Sequence, residues 1–272
     1  MPTSVSARVN TLLMEFVGKI VRRTSRETRI NFSLALIADE VRSQSGLENW
    51  QLFNRIYGRF LKSYPMQPSI ESLRTYGFYK LIGGLKDVPG DIVECGVGRA
   101  RYLVVFEYAN QFFGLGRAVY GFDTFEGFPA AHKNDVGLRV ADPGSIVGWE
   151  SSSADLARFV IETDSHSPES VIKDACAISV VTVPGLFKDT LPANLPEKIA
   201  FLHADADLYE STRDILVEAL PRMSSGGWIV FDELHETKKW PGVKKAVDEL
   251  CVPKKLFPQW LPELNRFAIQ IP

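Results

Sequence analysis

Acidic residues close one apolar run after another in this chain. Glu94 ends IVEC and is followed by Gly96 and Gly98, Asp123 ends AVYGFD, Asp205 and Asp207 end KIAFLHADAD, and Asp232 and Glu233 end WIVFDE. An apolar run that finishes in an acid and Gly-x-Gly reads as a buried strand entering a tight turn, where backbone must approach something closely. No third glycine follows before Phe106, so the full dinucleotide fingerprint is absent. Any one acid here is equally well read as the N-cap of a following helix. Acids at the ends of four strands are harder to explain in that way, because ionised groups add nothing to a core unless they are paired or used.

The acids divide by the chemistry they could do. Glu94 with CGVG, and Asp123 one strand later, suit a ligand with a cationic end near the glycines and a ribose diol at the second strand, since one carboxylate accepts hydrogen bonds from both hydroxyls of a cis-diol. Asp205, Asp232 and Glu233 offer hard oxygen atoms from two strand ends, a donor set suited to Mg²⁺ with waters or substrate oxygens completing the shell. These three converge only if the strands ending in HADAD and VFDE are neighbours. Without a cation they would repel one another, and neither strand end carries a Lys or Arg. Asp205 could also accept a proton from a hydroxyl, with His132 and His235 as weaker candidates for that role.

The elements that must position these residues follow from the hydrophobic pattern. Apolar strand-like runs (IVEC, AVYGFD, ISVVTVPG, KIAFLHADAD, GGWIVFDEL, NRFAIQI) alternate with amphipathic stretches (RYLVVFEYANQFF, SADLARFVIE, STRDILVEALPRM, GVKKAVDELC). Such alternation predicts an α/β fold, a mostly parallel sheet covered on both faces, with ligands gathering at the carboxyl ends of the strands. Ahead of it, residues 1–63 show helical patterns without strand signals and read as a helical cap or oligomerisation arm, leaving 64–272 as the ligand-binding domain. In SIESLRTYGFYKLIGGL, Ser69 is the expected N-cap of the entry helix. The polar stretch of about residues 130–150, with Trp149 near its end, is long enough to be a substrate lid.

Composition limits the alternatives. With 272 residues, 45% of them hydrophobic, the chain can bury a full α/β core. A net charge of -2 argues against nucleic acid as the main partner. The basic run KIVRR reads as a solvated helix face or an oligomer contact. Cys95, Cys176 and Cys251 are odd in number and lack metal-ligand spacing, which suggests buried thiols in a reducing compartment. The N-terminal stretch lacks a leading basic segment, so neither a signal peptide nor a membrane span is expected and a cytoplasmic location is the default.

GDIVECGVGRA, VYGFDTFEGFP, VPGLFKDTLP, FLHADADLYESTRDILVEALPRMSSGGWIVFDE and WPGVKKAVDEL occur in this order. Together they resemble the S-adenosylmethionine-dependent sugar O-methyltransferases of the macrocin (tylosin and mycinamicin) type. The likeness covers roughly residues 65–250. It implies a class I methyltransferase (Rossmann-like) fold with a seven-stranded sheet whose last strand is antiparallel, S-adenosylmethionine as cofactor, and Mg²⁺-dependent transfer to a hydroxyl of a glycoside. Carried over by position, Glu94 and Gly96 would line the methionine end of the cofactor, Gly98 would also bind the cofactor, and Asp123 would hold its ribose. Thr124 and Phe125, in TFEGFP, would follow in the same site, and Asp205, Asp232 and Glu233 would take the metal. The sequence departs from the family at GVGRAR, where GVWRGG is usual, and at Asp232-Glu233, where an Asp-Asp pair is usual. A catechol-type methyltransferase and a non-catalytic member of the fold remain as alternatives.

Overall fold

The computed structural model describes residues 68–98, 101–137 and 180–272. The proposed arm 1–63, the helix expected in SADLARFVIE, Arg99, Cys176 and most of the proposed lid with Trp149 lie outside the described residues. The elements are α1 (Pro68–Gly83), β1 (Asp91–Cys95), α2 (Arg101–Phe112), β2 (Val119–Asp123), β3 (Val180–Pro184), α3 (Phe187–Asn194), β4 (Ile199–Ala204), α4 (Tyr209–Ala219), β5 (Met223–Phe231), α5 (Pro241–Leu250), β6 (Gln259–Leu261) and β7 (Arg266–Gln270). The described residues divide into two compact units, a larger one within 78–257 with Ile269–Pro272, and a smaller one of 68–77 with Pro258–Ala268.

The seven strands run in the order β3-β2-β1-β4-β5-β7-β6. Strands β1 to β5 pair in parallel, with β4 flanked by β1 and β5. Central parallel strands are covered on both faces, and their sequences show it: every residue of β4 is buried, as are the last four of β1. In the smaller unit β6 and the first part of β7 pair antiparallel, with Trp260 edge-on to Phe267 at 5.2 Å. In the larger unit the chain end joins β5, where Ile271 N donates to Gly227 O at 2.9 Å. The architecture is the class I methyltransferase fold that the sequence motifs implied.

Periodicity explains the covering helices. In α5, Gly242, Val243, Ala246 and Val247 form the buried stripe, while Lys245 and Glu249 pair at 3.0 Å on the outer face, as do Lys244 and Asp248. In α4 the stripe is Ser211, Thr212, Ile215, Leu216 and Ala219. Phe78, Tyr102, Phe106 and Phe201 cluster in the core, with Phe106 edge-on to Phe201 and Phe78 tilted against Tyr102, each pair with centroids 5.0 Å apart. Helix α1 starts at Pro68, one residue before Ser69, because proline's fixed φ suits a first helical turn. Ser69 therefore lies inside the helix and not at its cap. Among the described residues no helix is long and apolar enough to cross a membrane.

Candidate active site

Two glycines after β1 are required for different reasons. Gly96 has φ +92, and a Cβ there would lie 1.7 Å from the carbonyl oxygen of Asp205. Its smallness lets the turn after β1 touch the end of β4. Gly98 has φ +51 with nothing within 4 Å of a Cβ, and its N–H donates to Asp123 Oδ2 at 2.8 Å. The other oxygen of Asp123 accepts from Phe125 N at 2.8 Å. Phe125 is buried and takes the left-handed conformation, φ 55, while Thr124 Oγ1 donates to Gly127 O at 2.7 Å. Asp123 thus ties the turn after β1 to the turn after β2.

Above these turns lies a cavity of about 430 Å³, lined by Gly96, Gly98, Asp123 and Thr124 on one side and by Asp205, Asp207 and residues of α4 on the other. Phe187 and Lys188, at the start of α3, complete its wall. The volume is that of a site for a small molecule or cofactor. The space over Gly98 admits a ligand against bare backbone, which fits the nucleoside part of S-adenosylmethionine. Glu94, Phe125, Asp232 and Glu233 do not line this cavity. Phe125 supports Asp123 from beneath through its N–H.

The acids at the ends of β4 and β5 come together because these strands are neighbours, with Ala204 in register with Phe231. Their side chains form two groups whose ligand atoms lie within 4.8 Å of one another, His203 with Asp205 and Asp232, and Asp205 with Asp207 and Glu233. Asp205 belongs to both. The sequence-based set of Asp205, Asp232 and Glu233 is therefore divided between two groups, each completed by a residue that set did not include. Glu233 is 5% exposed, and its Oε2 makes no hydrogen bond among the described residues. Burial, with the charges of Asp205, Asp207 and Asp232, holds its carboxyl well above the usual range. These are hard oxygen donors with excess negative charge, and they fit a small divalent cation such as Mg²⁺.

The absence of Lys and Arg from both strand ends does not leave the acids without a base nearby. His203, in β4, is fully buried, with Nδ1 3.0 Å from Glu94 Oε1 and Nε2 3.9 Å from Asp232 Oδ1. Burial alone would lower its pKa. Asp232 and Glu94 outweigh that, with Asp205 adding to them, and hold it up at about 9. His203 is the site residue that the sequence reading missed. The signal was the alternation HADAD, since a residue two positions before Asp205 in an extended run faces the same way.

His132 holds its own segment in place. Its Nδ1 accepts from Asn134 N at 3.2 Å and its ring stacks on Tyr209 at 4.8 Å. Beside it, the buried Asp135 accepts from His132 N at 2.8 Å and from Tyr209 N at 2.7 Å, fastening the segment after β2 to the start of α4. His235 is half-buried, two residues beyond Glu233.

A seven-stranded α/β sheet with a glycine turn, an acid on the second strand and a cavity over both has the architecture of the class I methyltransferase fold. The chain belongs to the family Macrocin-O-methyltransferase (TylF), whose family model matches residues 84–258. It is 33% identical over 179 residues to the 8-demethyl-8-(2,3-dimethoxy-alpha-L-rhamnosyl)-tetracenomycin-C 4'-O-methyltransferase of Streptomyces olivaceus, an alignment covering 60% of this chain and 63% of that protein. It is 29% identical over 177 residues to the mycinamicin III 3''-O-methyltransferase of Micromonospora griseorubida, covering 60% and 66%. The chain thus spans just under two thirds of the length of these relatives. Among solved structures it is similar to the O-methyltransferase NovP, with TM-score 0.60 and 25% identity over 74% of this chain and 80% of that one. It shares its fold with the calicheamicin methyltransferase CalS11, with TM-score 0.62 and 24% identity over 84% and 93%.

Proposed function

We propose that this chain is an S-adenosylmethionine-dependent O-methyltransferase that acts on a hydroxyl of a sugar or glycosylated natural product with the help of Mg²⁺. One observation carries this reading furthest: Gly98, bonded to Asp123, opens onto the same cavity as Asp205 and Asp207. A cofactor position and a set of oxygen donors thereby face one small-molecule space. The relatives' names, a rhamnosyl-tetracenomycin and a mycinamicin methyltransferase, support a glycoside as acceptor.

S-adenosylmethionine would supply an electrophilic methyl group, and Mg²⁺ would make a bound hydroxyl more acidic. The chain's residues have distinct tasks. Gly96 and Gly98 shape the turn that receives the cofactor, Asp123 accepts from its ribose hydroxyls, and Thr124 fixes the loop beside it. Glu94 lies beneath that turn and acts on the site from below. Asp205 lies on the cavity wall, holds the cation together with Asp232 and Glu233, and is also the group that accepts the proton of the acceptor hydroxyl. Orienting the acceptor and taking its proton is the larger part of what a protein must do for a displacement at carbon. A cytoplasmic location and a homo-oligomeric state, with no nucleic-acid or membrane partner, belong to the same reading; the buried free thiols Cys95 and Cys251 support the first.

Mass spectrometry of the gently purified protein should find S-adenosylmethionine or its demethylated product bound, and methyl transfer should stop in chelator and return with Mg²⁺. Full turnover in excess chelator would remove the metal from the account while leaving the methyl transfer in place.

A further inference from the structure

His203 connects two parts of the site through side chains, beside the backbone contact in which Asp205 N donates to Cys95 O at 2.9 Å. Glu94 and His203 stand opposite each other in the β1–β4 register, and the imidazole lies between the carboxylate under the cofactor turn and the carboxylate beside the cation cluster. Nδ1 is within hydrogen-bond distance of Glu94 at 3.0 Å, while Nε2 makes no hydrogen bond among the described residues and faces Asp232 Oδ1 at an ion-pair distance of 3.9 Å. The ring has little freedom to turn. Phe78, Tyr102 and Phe106 meet it edge-on, with centroids at 5.0, 5.2 and 5.7 Å, and none of the ring is exposed. A side chain locked in this way fixes where both carboxylates point.

We propose that His203 is a positioning residue that holds Glu94 and Asp232 in one array and so couples the cofactor turn to the cation cluster. Partners behind metal-binding carboxylates orient them, and their loss commonly weakens metal binding by about 10-fold to 100-fold. This inference rests on the functional reading above, because it takes Glu94 as part of the cofactor site and Asp232 as part of the cation site. It adds a side-chain link between the two and assigns it to a residue that does not line the cavity.

Two substitutions separate the halves of the array. In His203→Asn the amide nitrogen takes the place of Nδ1, which keeps the bond to Glu94 and gives up the reach to Asp232. In His203→Gln the amide takes the place of Nε2, which keeps Asp232 and gives up Glu94. Calorimetry with S-adenosylhomocysteine and electron paramagnetic resonance titration with Mn²⁺ on the full chain read the two sites without turnover. His203→Asn should weaken Mn²⁺ by about tenfold or more and leave S-adenosylhomocysteine within about threefold, and His203→Gln should do the reverse.

Equal losses at both sites in both variants would mark a structural role only and overturn the proposal. So would tighter Mn²⁺ binding, or a direct manganese–nitrogen coupling in the wild type, which would make His203 a ligand. Should either variant fail to fold, the wild-type chain labelled with ¹⁵N-histidine gives the same answer. The buried resonance, one of four histidines, should move on adding Mg²⁺ and again on adding S-adenosylhomocysteine, and a resonance unmoved by either defeats the idea. A wild type that binds neither probe takes down the functional reading and this inference together. A wild type that binds both, with unchanged variants, takes down this inference alone.

Discussion

His203 Nδ1 lies 3.0 Å from Glu94 Oε1, between two adjacent parallel strands and away from solvent. A buried carboxylate is costly unless it is paired, and this contact explains how Glu94 can be buried near the end of β1. Removing one partner of such a pair leaves the other uncompensated, at a cost of about 3–5 kcal/mol. Glu94 lies near the end of β1, just ahead of the glycine turn, and does not line the cavity, whereas the family resemblance implied a place along the methionine end of the cofactor.

Asp123 is asked to hold two turns and a ligand. Asp123→Ala should weaken S-adenosylhomocysteine binding by about 1–3 kcal/mol, the scale of a charge-assisted hydrogen bond. Isothermal calorimetry with unchanged affinity would remove Asp123 from the cofactor site.

The two glycines should respond differently to the same change. Gly96→Ala drives a methyl group into the backbone of Asp205, so the variant should be strongly destabilised or fail to fold. Gly98→Ala meets open space, so it should cost only about 1–2 kcal/mol of backbone strain while obstructing the ligand. Melting curves and cofactor titrations on both variants check this; equal stability losses would contradict it.

Asp135 anchors the segment after β2 to the N-terminus of α4. Asp135→Ala should lower stability by about 1–2 kcal/mol, as loss of a helix cap does, with the change read from urea denaturation. A neutral effect would show that Tyr209 N finds another acceptor at no cost.

The metal-free protein should lose stability as pH rises. His203 has a folded pKa of about 9 against an unfolded value near 6.5. Its contribution is therefore complete below about pH 6.5 and lost by about pH 9, by an amount on the order of 3 kcal/mol. Glu233, also raised in the folded state, has the same sign, because the folded form holds the proton longer. Urea midpoints in chelator across this range should fall, and Mg²⁺ should reduce the fall by favouring the ionised carboxylates. Midpoints that climb with pH would reverse the assignment.

Much of the sheet could be read from the alternation of elements, because strands such as IVEC and KIAFLHA are mostly apolar and the helices between them carry clear stripes. Two elements escaped. β6 is three residues set between Pro258 and Pro262, too short for any period to show, and α3 contains Pro192, which disguises a helix. At the site, strand ends identified Asp123, Asp205, Asp232 and Glu233 correctly as neighbours of turns. Which oxygen meets which depends on side-chain direction at the strand ends, and that is why Asp207 joined Glu233 and His203 joined Asp232 without notice. A histidine inside an apolar strand looks like core until its cross-strand partner is known, and Glu94 supplies that partner only once β1 and β4 are placed side by side.

The central claim is methyl transfer to a sugar hydroxyl. Its most direct test is to incubate the full chain with S-adenosylmethionine, Mg²⁺ and a panel of rhamnosylated and other deoxysugar glycosides, and to follow the products by mass spectrometry with tandem fragmentation. The account predicts a single added methyl group on the sugar of at least one glycoside, formed with stoichiometric S-adenosylhomocysteine and abolished in Asp205→Asn. A protein that binds the cofactor yet methylates no glycoside, or places the methyl on an aglycone phenol instead, would contradict it.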